Sequence, residues 1–133
     1  MKAKISHTIL SVSDWEKATT FYDALMGALG FEPGRPDEKG EWGGIRAYRQ
    51  GEHGLYIYHE GDKQYTKFNR FPGLNHIAFG VESRVDVDKI YELVKTLDVE
   101  ITRKPKLYPE YTENYYAFYF RDPDGIPLEV MFS

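Results

Sequence analysis

His7-Thr8-Ile9-Leu10-Ser11-Val12-Ser13 is answered 69 residues later by His76-Ile77-Ala78-Phe79-Gly80-Val81-Glu82, and each stretch runs into a segment of helical character. Phe21-Tyr22 in the first copy and Ile90-Tyr91 in the second keep the same offset. An internal repeat dictates architecture before any single element does. Here a titratable residue returns at the same point of both copies, on a strand that otherwise reads as core. His7 and His76 are therefore a candidate pair.

At 133 residues the chain fits one domain, residues 1–133, with module one at about 1–62 and module two at about 73–133. A formal net charge of −4 leaves no basic footprint, which argues against nucleic acid as a partner. The absence of cysteine excludes thiolate metal sites, a disulfide framework and a Cys nucleophile. The opening MKAKISHTIL lacks the apolar run of a signal peptide, and no stretch is long and apolar enough to cross a membrane. A cytoplasmic protein without a membrane partner is the expectation.

Alternation from Lys4 to Val12 predicts a strand with Ile5, His7, Ile9 and Ser11 on one face. Ser13 and Glu16 have the spacing of a capping box, with Ser13 as N-cap. The helix they open is predicted to reach about Leu29, burying Trp15, Ala18, Phe21, Leu25 and Met26, with Gly30 ending it. Pro33 to Gly44 reads as turns and loop. Ile45–Arg49 and Leu55–His59 read as a hairpin closed by Gln50–Gly54, and Glu60–Gly73 as a connector. The second copy predicts a strand over Leu74–Val81 and a helix from Ser83 to about Leu97 with Val87, Ile90, Tyr91 and Val94 inward. Strands follow at Glu100–Arg103, Tyr115–Arg121 and Pro127–Phe132, with loops at Lys106–Asn114 and at the turn Asp122-Pro123-Asp124-Gly125. The expected fold is α+β: two βαβββ modules joining into one curved mixed sheet, a cup with helices on its convex side.

In the last strand of each half, Tyr56 falls opposite Glu129. Alternation sets Glu129 on the face opposite Leu128, Val130 and Phe132. If those three are core, the carboxylate points into the concavity, where an unpaired charge is costly. Two imidazoles and one carboxylate then form an open set of three metal ligands, His7, His76 and Glu129. Taken singly, a histidine on a strand is more often structural and Glu129 is most simply an edge or interface charge; the repeat-matched placement is what raises the metal reading. His53, in the hairpin turn, and His59, at a strand end, read as surface residues.

These segments resemble the vicinal oxygen chelate superfamily, which includes glyoxalase I, fosfomycin-resistance and bleomycin-resistance proteins and extradiol dioxygenases. The similarity rests on the opening His-x-x-L-x-V, on Asn75-His76-Ile77-Ala78-Phe79, and on Phe120-Arg121-Asp122-Pro123-Asp124-Gly125-Ile126-Pro127-Leu128-Glu129, and it spans nearly the whole chain. The resemblance implies a cup around a divalent metal held by His7, His76 and Glu129, a small-molecule substrate, and commonly a homodimer. Glyoxalase I has a fourth, carboxylate ligand where this chain has Tyr56, and a neutral phenol is a poor ligand. The site thus looks like the two-His-one-Glu type, suited to Fe²⁺ or Mn²⁺, with Zn²⁺ and Ni²⁺ also open. The implied function is a glyoxalase-like lyase or isomerase acting on a small oxygen-chelating substrate. The alternatives are an extradiol-type dioxygenase and a non-catalytic drug- or metabolite-binding protein. Glu129 and Tyr56 are the candidate catalytic residues. Tyr116 and Glu113 are further candidates for a hydrogen bond or base, and the loop Tyr108–Tyr115 is read either as a lid or as plain surface.

Overall fold

The computed structural model describes residues 1–34, 44–59, 68 and 72–133. The chain divides into two compact units, Met1–Thr66 and Lys67–Ser133. Unit one contains β1 (His7–Ser11), α1 (Trp15–Ala28), β2 (Glu32–Pro33), β3 (Gly44–Gln50) and β4 (His53–His59). Unit two contains β5 (Ile77–Gly80), α2 (Arg84–Lys95), β6 (Ile101–Leu107), β7 (Tyr116–Arg121) and β8 (Pro127–Phe132). Each unit is one βαβββ module, so the α+β class and the internal repeat are as the sequence reads. The hydrogen-bonded ladders stay within the modules, as two four-stranded sheets ordered β1-β4-β3-β2 and β5-β8-β7-β6.

Register confirms the repeat at residue level. β1 runs parallel to β4 with Ile9 opposite Tyr56, and β5 runs parallel to β8 with Ala78 opposite Glu129. Ile9 and Ala78 are themselves 69 residues apart. Tyr56 and Glu129 therefore occupy equivalent places in the two modules.

The ends of α1 show how local chemistry sets the element. Its N-cap is Asp14, whose side chain accepts from the Lys17 backbone N–H. This corrects the expectation of Ser13: both are good caps, and the helix takes the one nearer its first turn. At the other end Gly30 has φ +83°, the Phe31 N–H donates to the Met26 carbonyl and the Gly30 N–H to Gly27. That is the Schellman pattern, which requires a left-handed residue just past the helix. α2 is capped by Ser83, which accepts from the Asp86 N–H and donates to its carboxylate.

The helix in each module covers one face of its sheet. In unit one Leu10, Leu55, Ile57 and Tyr48 of the sheet are buried, as are Phe21, Tyr22, Leu25 and Met26 of α1, and the Tyr22 ring lies 6.4 Å from that of Tyr48. Tyr22 joins this core without having been anticipated, whereas Trp15 is only half-buried. Asp23 on α1 is gripped by Arg46 in two hydrogen bonds of 2.6 and 3.0 Å, and the buried Tyr48 hydroxyl donates to it at 2.7 Å. In unit two Val87, Ile90 and Val94 meet Phe118, Phe120, Leu128 and Val130, while Tyr91 is half-buried, edge-on to Phe118.

Several strands depart from expectation; β1 and β5 begin only at His7 and Ile77. Pro33 belongs to the short β2 and Gly44 opens β3; the rest of the expected 33–44 loop, apart from Gly34, and most of the 60–73 connector lie outside the described residues. The β3–β4 hairpin is tighter than predicted, with Gln50 paired to His53 across Gly51-Glu52. Gly51 has φ +57°, the positive value that two-residue hairpin turns demand. β6 runs on through Pro105 to Leu107, which an edge strand tolerates because its outer N–H needs no partner. No helix among the described residues is long and apolar enough to cross a membrane.

Replacing Asp14 with Ala is expected to cost about 1 kcal/mol in urea unfolding, and Gly30→Ala a similar amount through the strained φ. Burial, reinforced by Asp23, holds the Tyr48 phenol above its ordinary pKa. A raised folded-state pKa gives stability that is full below the unfolded value and lost as pH rises. Stability should therefore fall above about pH 10, and a pH series of melts on Tyr48→Phe should show a shallower alkaline decline.

Candidate metal centre

β8 lies between β5 and β7, and Pro127 to Val130 are all buried. Leu128 and Val130 face the helix; Glu129 therefore faces the other side, as alternation predicts, at 1 % exposure. A buried carboxylate needs donors. The Tyr115 hydroxyl donates to Oε1 at 2.6 Å, and His76 Nε2 lies 2.9 Å from Oε2. Tyr119, directly across the ladder from Glu129, faces the same charge. Burial first, and the Glu129 carboxylate second, raise the Tyr115 and Tyr119 phenols above their ordinary pKa. Both phenols thus remain protonated donors at neutral pH.

His76 sits immediately before β5, two residues from Ala78 and so on the Glu129 face. Its Nδ1–H donates to Asn75 Oδ1 at 2.7 Å, and its ring meets Tyr119 edge-on at 6.0 Å. With that proton committed to Asn75, the Nε2 lone pair points toward a carboxylate oxygen. Two such atoms rest 2.9 Å apart with a proton or a cation between them. Adjacent donors on an octahedral ion, each about 2.1 Å from it, stand about 3 Å apart. That spacing is compatible with a divalent ion between the two, and a side-chain oxygen on the other ring nitrogen, here Asn75 Oδ1, is the kind of outer partner that metal-binding imidazoles have.

The remaining predicted residues lie as follows. His7 is the first residue of β1, exposed, with Nδ1 3.3 Å from Ser6 Oγ and its ring stacked on Tyr56 at 5.1 Å. Tyr56 also receives Arg49, which hydrogen-bonds its hydroxyl and covers its ring at 5.2 Å. Gly54 makes this possible, because a Cβ there would stand 2.8 Å from the Tyr56 ring. The structure brings His76 and Glu129 together; among the described residues no group of three or more His, Cys, Asp or Glu forms a metal cluster. His53 opens β4 and is exposed, and half-buried His59 has Nε2 3.1 Å from the Ser13 carbonyl.

Tyr116 donates to Asp88 on α2 at 2.9 Å, on the sheet face away from Glu129, and Glu113 is exposed in the preceding loop. That loop is pinned by the buried Tyr108, whose N–H donates to the Tyr115 carbonyl at 2.8 Å and whose ring stacks on Tyr111. Tyr115, Tyr119 and Asn75 are the site residues that the sequence reading passed over. Strand parity carried the signal for the tyrosines: residues 115, 117, 119 and 121 share the Glu129 face, and 116 does not.

A sequence profile described as the Glyoxalase/Bleomycin resistance protein/Dioxygenase superfamily matches residues 4–130. A Vibrio cholerae serotype O1 protein named "Probable lactoylglutathione lyase" is 28% identical over 131 residues, spanning 96% of this chain and 89% of that protein. The glyoxylase/bleomycin resistance protein/dioxygenase domain from Frankia sp. EAN1pec superposes with a TM-score of 0.81 at 23% identity, covering 100% of this chain and 99% of that one. A mutant of the Listeria monocytogenes fosfomycin resistance protein FosX, complexed with Mn(II) and 1S,2S-dihydroxypropylphosphonic acid, superposes at 0.67 with 22% identity, covering 98% and 90%. At these identities the two structures establish the fold.

Tyr115→Phe removes a donor from a buried carboxylate and is expected to cost about 1.5–3 kcal/mol of stability. A double-mutant cycle with Glu129→Gln should show coupling above about 0.5 kcal/mol in urea melts.

Proposed function

This chain belongs to the glyoxalase/bleomycin resistance protein/dioxygenase superfamily, and on that premise we propose that it is a metal-dependent lyase or isomerase acting on a small oxygen-chelating substrate. The observation that carries the reading is the buried Glu129 carboxylate facing a histidine whose other nitrogen is already committed. His76 and Glu129 are the proposed ligands, and His7 is assigned to the same divalent ion by its repeat equivalence to His76. The lyase direction is supported by the name of the Vibrio cholerae relative. A homodimer is part of the same reading, checked by light scattering.

A divalent ion would stabilise negative charge developing on two neighbouring substrate oxygens. The protein's part is positional. Tyr115 donates to Oε1, and Oε2 is the oxygen that faces His76 Nε2. Asn75 holds the proton of His76 on Nδ1, so Nε2 presents its lone pair. The half-buried Tyr119 ring shields the pair from water on one side.

Tyr56 at the place equivalent to Glu129 leaves three protein ligands, which also suits the second reading, an extradiol-type dioxygenase acting on a catechol. Reconstitution with Fe²⁺ under anaerobic conditions, followed by oxygen uptake with catechols, separates the two: only the dioxygenase consumes O₂.

Metal analysis is expected to give one divalent ion per chain. Asn75→Ala should weaken metal affinity about 10- to 100-fold, and His76→Ala and Glu129→Gln should each weaken it further. Unchanged binding in Glu129→Gln would overturn the assignment.

A further inference from the structure

Strand β6 pairs with β7 in a broken register, and the break decides where its cations point. Ile101 lies opposite Phe120, but Arg103 lies opposite Tyr119, so one extra residue is inserted between them. Continued without the bulge, that register would set Arg103 against Phe118, which is fully buried on the helix side. The bulge turns Arg103 onto the face of Glu129 instead, and a second shift brings Lys106 opposite Ala117, on that same face. Bulges beside active sites characteristically re-aim a side chain in this way.

The result is a cleft of about 400 Å³ beside His76, lined among others by Arg103, Arg121, Thr102, Tyr111 and Tyr119. Its lining residues include two arginines and no aspartate or glutamate, in a chain whose net charge is −4. Arg121 is braced by the Gly125 carbonyl at 2.9 Å, with its Nε 3.5 Å from the mostly exposed Glu100 carboxylate. Arg103 lies over the ring of Tyr119, the residue that faces Glu129, at 5.7 Å. One arginine is thus held by backbone and the other rests on an aromatic platform, both bordering the same cleft.

We propose that Arg103 and Arg121 form a subsite for an anionic oxygen group of the substrate, a carboxylate or a phosphonate, beside the His76–Glu129 pair. Guanidinium forks match such groups in two-point contacts. The subsite names the substrate class of the proposed enzyme and rests on that reading for its catalytic meaning: a small molecule with an acidic group at one end and its chelating oxygens at the other.

The test is calorimetric titration of chelator-treated full-length protein at low ionic strength, with inorganic phosphate and acetate as separate probes. Saturable binding of at least one is expected, and the preferred probe indicates which acid the substrate carries. Arg103→Gln should weaken it about tenfold or more, with partial recovery in Arg103→Lys, while the exposed Lys104→Gln should leave it unchanged. Arg103 is exposed, so its variants are expected to fold, whereas Arg121 also braces a turn and is not the primary probe. Absence of saturable binding, or an Arg103→Gln affinity equal to that of the parent, overturns the subsite. Glu129→Gln is expected to keep phosphate binding while losing metal. Loss of anion binding with metal intact sinks only the subsite, and the reverse sinks only the metal reading.

Discussion

A carboxylate at 1 % exposure in a central strand is the constraint around which unit two is organised. Charge removed from water must be met by donors or cations at close range. β8 has neighbours on both sides, so those donors come from β7, from the loop before it and from the residue preceding β5. Tyr115, Tyr119 and His76 answer that need, and Asn75 fixes the last of them. The same position in unit one carries Tyr56, a neutral ring between His7 and Arg49. The two modules share a backbone plan but not an electrostatic one: among the described residues, the buried carboxylates, Asp122 and Glu129, both lie in the second.

Much of this was legible in the sequence. The constant offset of 69 fixed both modules, and aligning their last strands set Tyr56 against Glu129, as the parallel pairings show. Parity alone put Glu129 on the face opposite Leu128 and Val130. What stayed hidden depends on register or on pairing between distant segments. β2 is two residues long and exists only because β3 pairs with it, so it has no period to read. Pro105 masked the length of β6, since an edge position removes the penalty that proline carries in a central strand. The choice of Asp14 over Ser13 turns on a single residue between two equally good caps. Tyr116 was named where Tyr115 and Tyr119 belong, because the parity of β7 relative to Glu129 follows from the hairpin register, which a string of aromatic residues does not disclose. His76 and Glu129 were read, with His7, as three ligands of one ion; that Asn75 and Tyr115 hydrogen-bond the His76–Glu129 pair was not read.

The last-placed strand of each sheet has a further consequence. β2 is two residues long and includes Pro33; β6 includes Pro105, two register shifts and a row of lysine and arginine side chains. An unpaired border of backbone amides and carbonyls invites a foreign strand to add itself, and brevity, proline, irregular spacing and like charges all discourage that addition. Both modules therefore finish in a border that is a poor template for intermolecular ladder growth. The irregularity that aims Arg103 thus also discourages a foreign strand from adding to the β6 border.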